Sequence, residues 1–393
     1  MRHRLRFRNT TKFALITFFS NFYLYSHVGT LYAQARGLSL LQANSIWSII
    51  VASIFLAEIP TGVLADRISR KWSVVIALLL QTLGEVWYLF ARSYTMFVLI
   101  AVLAGIGYAF SSGADEALIY DSLPEPDREG SMKRAMGLVG GAYQLAFCFA
   151  PLAGGLVVNR LAINNYLRAI FLTACSVAVA FLISLTLEEP REQRLCHDAD
   201  SLTILREGIG QLRSSKRLLW ITAVGVLTSS FSSSLTSLYQ PYFVQAQVLP
   251  VWLALALSLG ALCAFFCQKG SYRLEDALGK RWGLFTAMIL PGILYLGLAA
   301  ASTPVAVIPL FVFTYAILDI KNPLLSAYRN AEIKGESRAT VLSMINMMSG
   351  LYVAAMNLVI GKIADISLAW AFVTIGALVI FFTLALRADK LAT

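Results

Sequence analysis

Six ionisable side chains, Glu58, Glu85, Asp115, Glu116, Asp319 and Lys321, lie inside long apolar runs. A charge placed there is costly, so its default reading is functional. Carboxylates in such places can exchange protons or hold a cation. On a helix, Asp115 and Glu116 diverge by about 100°. One can then face a cavity while the other faces a neighbouring helix. Asp319 and Lys321 diverge by about 200° and are not expected to line one narrow face. Lys321 could neutralise Glu116 or Asp115, or the group could form a purely structural bridge. Glu85 reads equally as a proton site or as a satisfied structural carboxylate. Glu58 lies about two turns before Asp66, near the end of its run.

Polar and aromatic residues interrupt other runs and suggest a mixed cavity. Asn21, Tyr25 and His27 stand in the first run, Tyr143 and Gln144 in the fifth, and Asn346, Met347 and Asn357 in the eleventh. The seventh holds Ser229, Ser230, Ser232, Ser233, Ser234, Ser237, Tyr239 and Gln240. Most such serines are expected to bond their own helix or aid packing. A cavity of this make-up, with Lys321 and a few carboxylates, suits amphipathic or cationic organic molecules.

Other chemistries find little support. The three histidines, His3, His27 and His197, are scattered, and no Ser/His/Asp cluster can be assembled. No G-x-x-x-x-G-K-[ST] loop is present, which argues against direct ATP drive. Cys148, Cys175, Cys196, Cys263 and Cys267 lack zinc-site spacing, so neither metal nor disulfide is expected, and no cofactor is implied. The net charge of +10 has no basic stripe with interleaved aromatics, which argues against nucleic acid.

The elements that must carry these residues are membrane helices. Hydrophobic residues make up 58% of the 393 and charged ones 14%, about half the charge a soluble surface uses. Apolar runs of bilayer length are predicted near 12–33, 42–65, 72–91, 95–121, 134–158, 164–187, 218–244, 249–269, 282–301, 304–329, 338–361 and 367–387. Ala33-Gln34-Ala35 mimics a signal cleavage site, but the run before it is too long for a signal core and reads as a span. The expected organisation is a six-helix half over 1–187, a polar linker over 188–217 and a second half over 218–393. Of 32 Lys and Arg, 26 lie on the N-terminus, the C-terminal tail and the even-numbered connections, against five on the alternate loops. That bias places both termini and the linker in the cytoplasm.

The two halves repeat. Asp66-Arg67-Ile68-Ser69-Arg70-Lys71 and Asp276-Ala277-Leu278-Gly279-Lys280-Arg281 lie 210 residues apart. Arg134-Ala135 and Arg338-Ala339 lie 204 apart, and at that offset Asp115 falls on Asp319. The run Gly62-Val-Leu-Ala-Asp66-Arg67-Ile-Ser69-Arg70-Lys71 resembles the signature loop G-x-L-x-D-R-x-G-R-K of the major facilitator superfamily, with Ser69 in place of glycine. Pro151-Leu-Ala-Gly154-Gly155 resembles the tail of that superfamily's antiporter motif. Gly105 and Gly107 match the glycines of a further motif, whose arginine would fall near Ala101. EIPTGVLADR and SGADEALIYDSL together resemble a bacterial drug:proton antiporter group that includes macrolide-efflux-like proteins.

The resemblance implies an all-α membrane protein of twelve transmembrane helices in two pseudo-symmetric six-helix bundles, with a midplane site between the repeats. It implies a non-enzymatic secondary transporter of the bacterial inner membrane, working as a monomer on a small molecule and protons. Export is the favoured direction, with uptake of a metabolite, or a receptor on the same fold, as alternatives. Gly62 is expected to allow a close helix approach. Asp66 would accept hydrogen bonds from the helix beginning near Arg338, while Arg67, Arg70 and Lys71 pair with Asp121 to form a cytoplasmic gate. Pro151, Gly154 and Gly155 predict a kinked, tightly packed helix.

Overall fold

The computed structural model describes residues 2–123, 128–189, 210, 215–229, 231–333 and 338–390. These residues are helical, with no strand among them. The helices of the first half are α1 (Arg2–Ser20), α2 (Gly29–Ala35), α3 (Leu40–Ile68), α4 (Arg70–Phe90), α5 (Tyr94–Ser111), α6 (Ala114–Asp121), α7 (Arg128–Val157) and α8 (Ile163–Leu185). Those of the second are α9 (Lys216–Leu227), α10 (Ser232–Gln245), α11 (Pro250–Lys269), α12 (Tyr272–Ala300), α13 (Pro304–Ile317), α14 (Lys321–Glu332), α15 (Arg338–Ile366) and α16 (Leu368–Ala385).

Local chemistry sets several of these ends. Ser39 and Gln42 cap α3 reciprocally, at 3.3 and 3.0 Å, satisfying two donors that the first turn leaves open. Ser215 caps α9 through the Leu218 N–H at 3.1 Å. Pro250 and Pro304 open α11 and α13, where a missing N–H costs nothing.

Eleven helical stretches are long and apolar enough to cross a membrane. The run expected at 12–33 is missing from that set because it is broken: α1 stops at Ser20 and α2 starts at Gly29. With it the spans number twelve. The connection expected at 269–281 is mostly helix, since α12 already begins at Tyr272 and passes through a non-helical Gly279 (φ 75, ψ 157).

Four spans are discontinuous, and they are the first, fourth, seventh and tenth. The breaks fall between α1 and α2, α5 and α6, α9 and α10, and α13 and α14. Gly113 (φ 78) makes the second and Phe231 (φ 50) ends the third. Discontinuous spans free backbone groups inside a membrane, and these must find partners within the protein.

The chain divides into two compact units. The first holds Met1–Gln42, Ile49–Arg194 and Pro250–Ser258, the second Ala43–Ser48, Leu195–Leu249 and Leu259–Thr393. Within the first, α1 packs on α7 and α8, and α4 on α5 and α8. The second repeats this: α9 packs on α15 and α16, and α12 on α13 and α16. The repeat reaches single atoms at the 210-residue offset. Tyr32 donates its hydroxyl to the carbonyls of Tyr88 and Ala91 at 2.7 and 3.5 Å. Tyr242 does the same to Leu298 and Ala301 at 2.5 and 2.6 Å. Gly37 (φ 86) and Gln247 (φ 56) end α2 and α10 in the same left-handed turn, each closed by a bond to the carbonyl five residues before the next residue, Leu38 to Ala33 and Val248 to Phe243. Ser69 (φ 152) and Gly279 (φ 75) are also equivalent. The superfamily's glycine at this place answers a backbone requirement, which Ser69 meets under strain.

Candidate functional site

The broken first span organises one end of the site. Its freed groups are met one by one from neighbouring helices. Gln81 on α4 donates to the Ser20 carbonyl at 3.0 Å and to the Tyr23 hydroxyl at 2.8 Å. Ser176 on α8 donates to the Phe19 carbonyl at 2.8 Å. Thr173 accepts from the Leu24 N–H at 3.0 Å and passes its own proton to Ala169 at 2.9 Å. Asn21 turns back to the Thr17 carbonyl at 2.9 Å.

Tyr25, on the same irregular segment, donates to Glu85 Oε1 at 3.0 Å. Glu85 is 8% exposed, and its Oε2 is buried without a hydrogen-bond partner among the described residues. Tyr88 stacks on Tyr25 at 5.3 Å and Tyr32 lies 5.0 Å from Tyr88. Glu85 is thus a buried carboxylate walled by tyrosines.

The first unit also holds a pocket of about 240 Å³, lined from four spans. Asn21, Gln81, Tyr108, Ser111, Asp115 and Tyr143 give it polar faces, and Phe13, Ile16, Val74 and Leu78 an apolar floor. Gly113 breaks the fourth span and starts α6, which sets Asp115 in that helix's first turn. Its Oδ1 is buried with no hydrogen-bond partner among the described residues. Glu116 is exposed on the other side of the helix, the divergence that the sequence predicted. Gln144 is half-buried on α7 and Glu58 is exposed on α3.

In the second unit the seventh span's break is likewise closed by side chains. Lys321 Nζ donates to the Thr228 carbonyl. Tyr352 on α15 reaches the Leu227 carbonyl at 3.4 Å, and Tyr295 on α12 the Phe231 carbonyl at 3.4 Å. Lys321 is 2% exposed. It acts as a cation at the carbonyl end of α9, where the helix dipole is negative. Ser234 donates to Asn357 Oδ1 at 2.5 Å, tying α10 to α15. Asp319 lies in the break itself and accepts from Asn322 at 3.1 Å. The 200° divergence expected for Asp319 and Lys321 does not apply, because no helix joins them, and the two charges are within electrostatic reach. Asp115 and Asp319, 204 residues apart, thus lie beside breaks of equivalent spans, Asp115 in the first turn after its break and Asp319 within its own. Tyr239 is fully buried and stacks on Phe311 at 4.4 Å, while Asn346 is exposed on α15.

The gate and motif residues are placed in part. Arg70 pairs with Asp121, and its N–H donates to Glu189 at 3.2 Å. Lys71 lies 5.8 Å from the Trp72 ring. The side chains of Asp66, Arg67 and Arg338 lie outside the described residues, as do Ser230, Cys196 and His197. A Cβ on Gly62 would meet nothing within 4 Å among the described residues. The close approach is at Gly105 instead, where a Cβ would stand 2.8 Å from the Ile50 carbonyl. α7 runs unbroken through Pro151. Gly154 on it admits the irregular first-span segment, since a Cβ there would fall 1.8 Å from the Leu24 carbonyl. A Cβ on Gly155 would fall 2.7 Å from that of Ala254. Gln81 and Tyr108 were not among the sequence-derived candidates. Their signal was available, since Gln81 stands one turn before Glu85 and Tyr108 two turns before Asp115 in runs that are mostly apolar.

A bundle with internal repeats, four interrupted spans and carboxylates at the interruptions is the construction of a secondary transporter. Residues 13–355 match the family model of the Major Facilitator Superfamily, and the chain belongs to that superfamily. It is 21% identical to the MFS-type transporter YxaM of Bacillus subtilis (strain 168), over 82% of this chain and 80% of the relative. It is 24% identical to Multidrug resistance protein 1 of the same organism, over 78% of this chain and 76% of the relative. Among solved structures, the nucleoside transporter NupG superposes with a TM-score of 0.79, covering 98% of each chain at 14% identity. That likeness is one of fold. The chain is a transporter of small molecules and not an enzyme.

Proposed function

We propose that the chain is a secondary active transporter that works by alternating access, exporting a small amphipathic organic compound in exchange for protons. One observation carries this reading. Asp115 lines an amphipathic pocket just after the break of the fourth span, and Asp319, 204 residues on, lies at the break of the tenth. A proton and a substrate can compete for such a carboxylate as the halves, 1–187 and 218–393, alternate between states. The multidrug resistance relatives support export over uptake. The test is solute flux in liposomes, scored in both directions with and without an imposed pH gradient. Flux indifferent to the gradient would overturn the reading.

The protein sits in the bacterial inner membrane as a monomer with both termini cytoplasmic. The 26-to-5 distribution of basic residues supports this. In a cysteine-free background, Ser302→Cys is expected to react with an impermeant thiol reagent on intact cells, and Ser201→Cys only after they are opened. The reverse pattern would invert the topology.

Asp66, Arg67, Arg70, Lys71 and Asp121 form a cytoplasmic latch, supported by the Arg70–Asp121 pair. Asp66→Asn keeps the shape and removes the charge. It is expected to cut transport about tenfold, on the scale of a coupling free energy between states, with expression intact. Parental transport across a pH series would rule the latch out.

A further inference from the structure

We propose that Lys71 and Trp72, at the start of α4, bind the phosphate of an anionic phospholipid whose acyl chains lie along the same helix. Such a site is independent of the solute carried.

The two units differ at one repeated place. At the 210-residue offset, Lys71-Trp72 falls on Arg281-Trp282. Each pair sets a cation over an indole ring, at 5.8 Å for Lys71 and 5.1 Å for Arg281, within the range of a cation–π contact. Each ring is about half exposed, 48% for Trp72 and 52% for Trp282. In the second unit the cation also has an anion. Arg281 pairs with Asp389 at 2.6 Å, in the short turn after α16 that is held down by the buried Ala388. In the first unit the carboxylates around this helix end are engaged elsewhere. Asp121 pairs with Arg70, Glu188 with Lys12 at 3.7 Å, and Glu189 accepts from the Arg70 N–H at 3.2 Å. Lys71 has no anionic partner among the described residues. One repeat thus fills with its own carboxylate the place that the other leaves open. The chemistry that fits is an oxyanion against a cation stacked on indole.

The rest of α4 indicates what carries that oxyanion. Its exposed residues beyond Trp72 are Leu79, Leu83, Val86, Trp87 and Phe90. Steps of seven, four and three residues keep Trp72, Leu79, Leu83 and Val86 on one stripe of the helix. The stripe is apolar and follows a helix long enough to cross a membrane. A cation and a tryptophan at the end of such a stripe sit at headgroup level. A phospholipid supplies both parts, acyl chains for the stripe and a phosphate for the ammonium and the indole N–H. A free inorganic anion would satisfy only the second.

The test counts lipids on the purified full chain by native mass spectrometry. The chain is titrated in neutral detergent with dioleoylphosphatidylglycerol, dioleoylphosphatidylcholine or inorganic phosphate. The parent is expected to take its first phosphatidylglycerol at a concentration about fivefold below that for phosphatidylcholine, the scale of one basic residue's attraction to an anionic membrane. Inorganic phosphate at equal concentration is expected not to compete. Lys71→Gln is expected to remove the preference and leave phosphatidylcholine binding unchanged. Arg281→Gln removes the same charge from the neutralised place and is expected to keep the preference. Asp389→Asn frees Arg281 and is expected to add a second selective phosphatidylglycerol. The proposal is overturned if Lys71→Gln keeps the preference, if Arg281→Gln loses as much of it as Lys71→Gln does, or if Asp389→Asn adds no lipid. Displacement of phosphatidylglycerol by equimolar inorganic phosphate would mean a site for free anions and overturns it as well.

Discussion

Gly154→Ala is expected to lose about 3 kcal/mol of stability, the upper end of overpacking costs, and with it most folded, transporting protein. A single methyl group does this because its neighbour is backbone. The added Cβ would fall 1.8 Å from the Leu24 carbonyl oxygen and 2.8 Å from His27 Cε1. The Leu24 carbonyl cannot rotate away as a side chain would. Its own N–H is fixed to Thr173, which is fixed to Ala169. The methyl therefore pushes the whole irregular segment between α1 and α2, including Tyr25 and its bond to Glu85. Gly140→Ala on the same helix is the control, because a Cβ there meets nothing within 4 Å, and alanine is the better helix former by about 1 kcal/mol. Thermal unfolding of the two variants in detergent gives the comparison. A Gly154→Ala protein as stable as Gly140→Ala would mean that this packing does not hold the first span.

This reassigns part of a motif. Proline and glycines in the fifth span predicted a kinked, tightly packed helix; α7 is one helix through Pro151 from Arg128 to Val157, and the tight packing is at Gly154 and Gly155. The requirement lies in what packs against Gly154. In the second unit Ser234, 210 residues after Leu24, is held by a polar contact to Asn357, one residue before the position that lies 204 after Gly154.

The sequence made the spans, the repeat and the Arg70–Asp121 pair legible, because apolar length and charge spacing encode them directly. It hid the four breaks. Gly113 was a visible signal, but Phe231 adopts a left-handed backbone that its side chain disfavours, and Leu318-Asp319-Ile320 holds neither glycine nor proline. At the breaks of the first and seventh spans, Gln81, Thr173 and Ser176 in one unit, and Lys321, Tyr352 and Tyr295 in the other, receive the freed backbone groups. Those partners lie 61 to 157 residues away in sequence, beyond any local pattern. The same breaks undid the helical-wheel argument for Asp319 and Lys321. They also explain Lys321 more simply than a bridge to Asp115 or Glu116, since its ammonium already faces a carbonyl at the end of α9. Tyr239 read as a cavity residue from its type alone, and burial against Phe311 shows the ordinary alternative.

The second large effect concerns coupling. Asp115 and Asp319 lie beside breaks of equivalent spans, and the proposed function needs each to exchange a proton there. Asparagine preserves size and hydrogen bonding at either place and removes the exchangeable proton. Asp115→Asn and Asp319→Asn are each expected to reduce gradient-driven flux by about 10- to 100-fold, the span of typical coupling energies. At least one should retain downhill exchange, because the pocket and the fold are intact. Glu116→Gln is a companion variant; Glu116 faces outward from the pocket, and its loss of coupling is expected to be smaller.

The measurement that decides this is solute flux into or out of liposomes holding purified parent, Asp115→Asn, Asp319→Asn or Glu116→Gln protein, with and without an imposed pH gradient. The account predicts that the gradient accelerates flux in the parent and has little effect on the two asparagine variants, while downhill exchange persists in at least one. Full gradient-driven flux in all three variants would contradict it and move the coupling role to Glu85, the other carboxylate buried in the first unit.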